Sequence, residues 1–206
     1  MALFSLYQVS TDVRLGLWRM DETPGQLLGK YPFLQSEVEQ FRNDGRKLER
    51  LSVYALLFEM TGNEQLRIGH DPSGRPSIES YQVSISHTKG YAALILSKQS
   101  RVAVDVETVS DRVGRIAKRF IRPDEVAADI QTMLVNWSAK ETVFKYFSDV
   151  RRLDYFDMRL HPCDFSSAGE GGDVEVDNIP DNCAVKVHVR CHPDFVLTYA
   201  FQETNV

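Results

Sequence analysis

Apolar and polar positions change period several times along this chain, and the changes mark its elements. Val102-Ala103-Val104-Asp105-Val106-Glu107 is an apolar run closing on alternating carboxylates, and it predicts a strand. Strand side chains alternate between faces, so Asp105 and Glu107 are expected to point the same way. Trp137-Ser138-Ala139-Lys140-Glu141-Thr142-Val143-Phe144-Lys145 reads as a helix. Glu141 and Lys145 stand four apart there and share one helical face. Val83–Ser97 reads as a strand, a polar corner at Ser86, His87 and Thr88 followed by Lys89 and Gly90, and a second strand, with Gly74-Arg75-Pro76 upstream. The stretch from Cys163 to Asn182, rich in Gly, Ser and acids, reads as an exposed loop or long hairpin tip. Val185–Val189 alternates like a strand.

The pattern also repeats. Leu15–Met20 matches Val102–Glu107 at an offset of 87, and Leu51–Phe58 matches Trp137–Phe144 at 86. Tyr91–Ile95 matches Phe195–Tyr199 at 104, and an insertion the size of the Gly-rich stretch explains the jump. Each half then reads as a strand, helices and a pair of strands, an α+β organisation. The halves differ at polar positions. Trp18 and Met20 stand opposite Asp105 and Glu107, and Tyr54 and Ala55 opposite Lys140 and Glu141.

Two strand carboxylates plus one on a helix can hold a divalent cation through oxygen, and a nearby lysine suits a phosphate. The plain alternatives are a solvated Glu141–Lys145 helix pair and the polar face of an edge strand. At the polar corner, Ser86, His87 and Thr88 offer an imidazole and two hydroxyls to an anion; alternatively, the histidine caps a backbone group.

Composition narrows the function classes. The chain has 206 residues, is 43% hydrophobic and carries a net charge of −5. It can bury a proper core and has no global basic field for nucleic acid. Arg112, Arg115, Lys118, Arg119 and Arg122 form a local basic cluster, either a solvated helix face or a surface for an acidic partner. Three cysteines without a CxxC favour a reduced, cytoplasmic protein. Cys183, His188, Cys191 and His192 do not have the spacing of a closed zinc site. No signal pattern or membrane-length apolar run is present.

In order, Gly74-Arg75-Pro76, Ile85-Ser86-His87-Thr88, Val104-Asp105-Val106-Glu107, Ile116-Ala117-Lys118-Arg119-Phe120 with Glu125, and Trp137-Ser138-Ala139-Lys140-Glu141 with Lys145 resemble the 4′-phosphopantetheinyl transferase superfamily, surfactin-type branch. The resemblance implies a pseudo-twofold, two-lobed α+β fold, each lobe a small antiparallel sheet packed with helices. Its lobes would be residues 1–100 and 101–206, with the active site in the cleft between them. It implies transfer of the phosphopantetheine arm of coenzyme A to a serine of an acyl or peptidyl carrier protein, by a cytoplasmic monomer using Mg²⁺ as cofactor. By motif position Asp105, Glu107 and Glu141 would hold the metal. Glu141, a metal-held water or Glu125 would be the base. Lys145 and Lys140 would neutralise phosphate, Ser86 and His87 would contact coenzyme A phosphate, and Arg75 would cover the nucleotide. Arg50 or Lys47 could assist at the 3′-phosphate.

After Lys145, where many members have a glycine-containing stretch, this chain has Tyr146-Phe147-Ser148-Asp149-Val150-Arg151-Arg152. A non-catalytic carrier- or coenzyme-A-binding module of the same fold is one rival reading. A metal-dependent phosphodiesterase is another, disfavoured by the glutamate and lysine standing four apart on a helix and by the acidic balance. Neither membrane nor nucleic acid is an expected partner.

Overall fold

A computed structural model describes residues 2–150, 152–163, 165 and 171–202. It is mixed α+β, with antiparallel sheets and five α-helices among the described residues. The chain divides into two compact units, Met1–Ser100 and Arg101–Val206.

In the first unit, β1 (Leu3–Gln8), β2 (Val13–Arg19), β5 (Gln82–Thr88) and β6 (Tyr91–Ser97) form a sheet in the order β1-β2-β6-β5. The short strands β3 (Gly69–His70) and β4 (Pro76–Ser77) pair separately. Helices α1 (Pro24–Lys30) and α2 (Gln35–Val38) precede the long α3 (Asp44–Thr61). Asn43 starts α3 by accepting from the amides of Gly45 at 2.7 Å and Arg46 at 3.3 Å. Gly62, at φ 67°, ends it in the left-handed conformation. Leu51, Tyr54, Ala55, Leu56 and Leu57 of α3 are buried in a core with Trp18, Leu94 and Leu96. Each such leucine contributes about 1.5–3 kcal/mol by leaving water. Gly90, at φ 85°, lets β5 turn into β6 in two residues, Lys89 and Gly90; Ser86, His87 and Thr88, expected at the corner, lie within β5 and pair with β6.

In the second unit, β7 (Val102–Thr108), β8 (Met158–Leu160), β9 (Gly171–Asn178), β10 (Cys183–Cys191) and β11 (Phe195–Phe201) form a sheet in the order β7-β11-β10-β9-β8. Helix α4 (Arg112–Ile116) leads into a short 3-10 turn, and α5 (Ile130–Phe147) packs on the sheet. Asp129 caps α5 in a reciprocal box with Thr132. Leu134, Val135, Ala139 and Val143 bring α5 onto Val187, Val189, Val196 and Ala200.

The stretch expected to be loop contains β9. Its Val174 and Val176 are buried while Asp173 and Glu175 face solvent, so the strand alternation was present beneath a Gly-rich, acidic composition. The loop reading for residues 164 and 166–170 lies outside the described residues. On β10, His188 and Cys191 fall on opposite faces. His188 meets Asp173 at 2.6 Å and stacks on Tyr199, while Cys191 is buried in the core.

The two units share a topology. Order β2-β6-β5 with α3 in the first corresponds to β7-β11-β10 with α5 in the second. Trp18 pairs with Ala92, and Asp105 with Thr198. Once Trp18 is set against Asp105, the register equates Ala92 with Thr198, an offset of 106 rather than 104 for the last strand.

Among the described residues no helix is long and apolar enough to cross a membrane. A Cβ on Gly16 would stand 2.7 Å from Leu56 Cδ1 and from Met60 Sδ, so β2 and α3 approach closely there. Gly16→Val is expected to lose about 1–3 kcal/mol of stability by overpacking, read by chemical denaturation.

Candidate functional site

The polar constellation of the second unit lies where β7 meets α5. Asp105 is only 3% exposed, and a buried carboxylate needs compensation on every oxygen. Lys145 donates to Oδ1 at 2.7 Å, and also to the Val104 carbonyl at 3.1 Å. Ser138 donates to Oδ2 at 2.9 Å.

Behind Ser138 the hydroxyls continue, with Ser138 Oγ 2.8 Å from Thr198 Oγ1 and Thr198 Oγ1 2.7 Å from Thr142 Oγ1. Each hydroxyl has one proton and the carboxylate only accepts. Ser138 therefore gives its proton to Asp105, while Thr198 Oγ1 also has the Ser138 carbonyl at 2.9 Å and Thr142 Oγ1 the Thr198 carbonyl at 3.3 Å as acceptors. All three hydroxyl residues are fully buried.

Glu107 and Glu141 flank this group. Trp137 Nε1 donates to Glu107 Oε1 at 2.8 Å, and the Tyr155 hydroxyl donates to Glu141 Oε1. Burial, then the charge of Asp105, pushes Glu107 up to about 6 against the hydrogen bond from Trp137 and the charge of Lys145; Glu141 adds to the rise. Glu141 is raised too, chiefly by burial and also by Asp105. Mutual repulsion couples these acids, and Lys145 is the cation that offsets it. Glu141 and Lys145 share a helical face as expected, but Lys145 bonds Asp105 and Glu141 bonds Tyr155.

The donor set fits a hard divalent cation in one respect that matters. Oε2 of Glu107 and Oε2 of Glu141 take no protein hydrogen bond among the described residues. No three His, Cys, Asp or Glu side chains close into a metal cage among those residues. Mg²⁺ does not require such a cage, because it keeps several waters and is commonly held by one or two carboxylates plus substrate phosphate.

Lys140 and Glu125 stand apart from this chemistry. Their side chains are 0% and 1% exposed and meet at 2.8 Å. Lys140 also donates to the Phe120 carbonyl at 2.7 Å. Glu125 further accepts from the Leu160 amide at 2.7 Å and the Arg122 amide at 2.8 Å. Burial lowers the Lys140 pKa, and Glu125 opposes the fall. In place of the expected phosphate-binding lysine and second base, the fold uses them as a closed pair pinning the segment after α4 to α5 and β8.

Arg50, Arg75, Ser86 and His87 belong to the first unit. Arg50 donates to Glu37 at 2.9 Å and the Ile68 carbonyl at 2.8 Å, and lies over the Tyr54 ring. That guanidinium is committed to its own fold rather than presented to a ligand. Arg75 sits in the β3–β4 turn, its amide donating to Asp71 at 3.0 Å.

His87 opens on a groove of about 670 Å³ lined by Asn43, Gly45, Arg46, Glu49, Thr88 and Lys89. Its ring is 3.7 Å from Glu49 Oε2. Ser86 is buried and alternates to the opposite face of β5, so it does not share the groove.

Sequence reasoning assigned no role to Trp137, Ser138, Thr142, Tyr155 or Thr198. A signal existed for three of them: Ser138, Glu141, Thr142 and Lys145 form one polar stripe at helical spacing, and Thr198 is a lone hydroxyl in an apolar strand. Compared with models of protein families and with curated proteins, the chain matches none.

Two outcomes follow for stability. Glu107, at about 6 when folded against an ordinary 4.5, holds its proton more tightly in the folded state. Its contribution is therefore present below about pH 4.5 and lost as pH rises through 6. Denaturation from pH 4 to 7 should show stability falling over that window, less steeply in Glu107→Gln. Glu125→Ala should cost about 3–5 kcal/mol by stranding the Lys140 charge, whereas Glu125→Leu with Lys140→Met should recover most of it in the same assay.

Proposed function

We propose that the chain is a 4′-phosphopantetheinyl transferase, moving the phosphopantetheine arm of coenzyme A to a serine of an acyl or peptidyl carrier protein. The observation that carries the reading is the Asp105–Glu107–Glu141 group around Lys145, desolvated enough to lift Glu107 to about 6. Acids held against their own repulsion in a partly buried group are characteristic of sites built to meet a cation. The repeated strand-and-helix topology of the two units supports the finer architectural reading, a two-lobed transferase fold.

Glu107 and Glu141, each with an oxygen that takes no protein hydrogen bond, would hold Mg²⁺, which supplies charge stabilisation to the pyrophosphate; Asp105, the third ligand by motif position, would join them only through an oxygen that Lys145 gives up. Lys145, partly exposed with 26% of its side chain accessible, can turn from Asp105 toward a phosphate oxygen. In the reaction the carrier serine oxygen bonds to the β-phosphorus of coenzyme A. The bond from that phosphorus to the bridging oxygen breaks, and adenosine 3′,5′-bisphosphate leaves with the electron pair. The serine proton passes to a carboxylate. Glu141, or a water held by the metal beside it, suits this task better than Glu125, because Glu125 is sealed from solvent. Glu125 gives its oxygens to three donors. In the first unit, His87, Lys89, Arg46 and Thr88 offer donors to coenzyme A phosphate, with Glu49 the one acid in that groove.

A second reading, a non-catalytic module binding coenzyme A or a carrier protein, is favoured by the fact that each of the three carboxylates already accepts from a protein donor. The two separate in one experiment. Intact mass of an apo carrier protein incubated with the chain, coenzyme A and Mg²⁺ should rise by one phosphopantetheine arm. EDTA should abolish the gain, and Glu141→Ala should reduce it by 10²-fold or more, on the order of general-base catalysis. Coenzyme A binding without mass gain across several carrier classes would establish the module instead.

A further inference from the structure

The donors to Glu107 and Glu141 are two faces of one aromatic pair. The Trp137 and Tyr155 rings lie 5.0 Å apart between centroids, tilted by 34°. Trp137 is braced from another side by Phe120, edge-on at 5.0 Å and fully buried. Tyr155 begins a 3-10 turn, Tyr155–Asp157. Asp154 caps that turn by accepting from the Phe156 amide at 3.0 Å, and Asp157 returns a bond to the Asp154 amide at 2.9 Å. The Tyr155 hydroxyl thus sits on a fixed backbone against a fixed ring.

We infer that Tyr155 is a positioning residue for Glu141: its hydroxyl fixes Oε1, leaves Oε2 for a divalent cation, and through Trp137 ties the setting of Glu141 to that of Glu107. The inference rests on the proposed transferase reading and names a residue that the motif resemblance does not reach.

The choice of donor is what the chemistry of a cation site asks for. A lysine or arginine in the same place would hold Glu141 equally well, but would cancel the negative charge that attracts the cation. A phenol orients the carboxylate and adds no charge. Lys145, by contrast, does bring charge, and it is directed at Asp105. Each carboxylate therefore has a different kind of partner, and only one of those partners reduces the site's charge.

A competing account makes Tyr155 a plug that the cation must displace, and the two accounts predict opposite signs. Calorimetric titration with Mg²⁺, with coenzyme A present and absent, would compare wild type, Tyr155→Phe, Trp137→Phe, the double variant and Glu141→Gln. A positioning role predicts Mg²⁺ affinity about 10-fold or more weaker in Tyr155→Phe, the usual range for loss of an outer hydrogen bond to a ligand. It also predicts that the Trp137→Phe and Tyr155→Phe losses are non-additive in the double variant. Thermal midpoints without Mg²⁺ establish that the variants are folded, and Trp137→Phe supplies the test if Tyr155→Phe is not. Unchanged or tighter binding in Tyr155→Phe would overturn the inference while leaving the transferase reading intact. If wild type binds no Mg²⁺ in either condition, or Glu141→Gln binds as well as wild type, the cation reading beneath it fails and the inference with it.

Discussion

Asp105 is the constraint around which the second unit is arranged. A carboxyl group at 3% exposure is tolerable only with hydrogen-bond partners on both oxygens. Those partners come from α5, and the row of hydroxyls behind Ser138 reaches across to Thr198 on β11. One buried carboxyl group thus sets the rotation and height of α5 against two adjacent strands. Apolar packing alone would tolerate a slip of the helix along the sheet, since Val143, Ala139 and Val135 are interchangeable in kind. A carboxylate, a lysine and three hydroxyls are not. Polar specification of this sort costs stability relative to an apolar filling, and that cost suggests a purpose beyond folding.

The first unit is the internal control. At the position equivalent to Asp105 it has Trp18, 1% exposed within the core, and its long helix carries Tyr54 and Ala55 where α5 carries Lys140 and Glu141. The same three-strand order and the same helix are built there without the charge. The topology therefore does not require an acid at this position of the strand. The raised Glu107 and Glu141 come from the residues this unit carries rather than from the shared architecture.

What could be read from sequence divides along a physical line. The strand Val102–Thr108, the helix containing Trp137–Lys145, and the strands meeting at Gly90 were legible because local period and a turn glycine encode them. The face shared by Asp105 and Glu107 followed from strand alternation. Strand β9 was missed because glycine and acid content outweighed the alternation of Val174 and Val176. Partners distant in sequence were not legible at all. Tyr155 reaches Glu141 from a separate turn, and Thr198 reaches Ser138 from 60 residues away. Only the assembled sheet brings such pairs together. Ser86 illustrates a smaller lesson: it stands next to His87 in the motif, yet on a strand neighbours point apart, so adjacency in sequence was not adjacency at a ligand.

The two lysine–carboxylate pairs of the second unit show why residue type alone could not assign roles. Lys140–Glu125 and Lys145–Asp105 have nearly equal separations, 2.8 and 2.7 Å, and the same chemistry. They differ in access. The first pair is sealed, 0% and 1% exposed, with the remaining lone pairs of Glu125 given to backbone amides. Opening it would strand two charges in a medium that cannot solvate them, so it acts as a rivet. In the second pair Lys145 keeps 26% of its side chain in contact with solvent. That ammonium can exchange one oxygen for another at little desolvation cost, and phosphate offers the stronger charge. The two otherwise matched pairs therefore differ in exposure, and that difference is set by where α5 lies on the sheet and hence by Asp105.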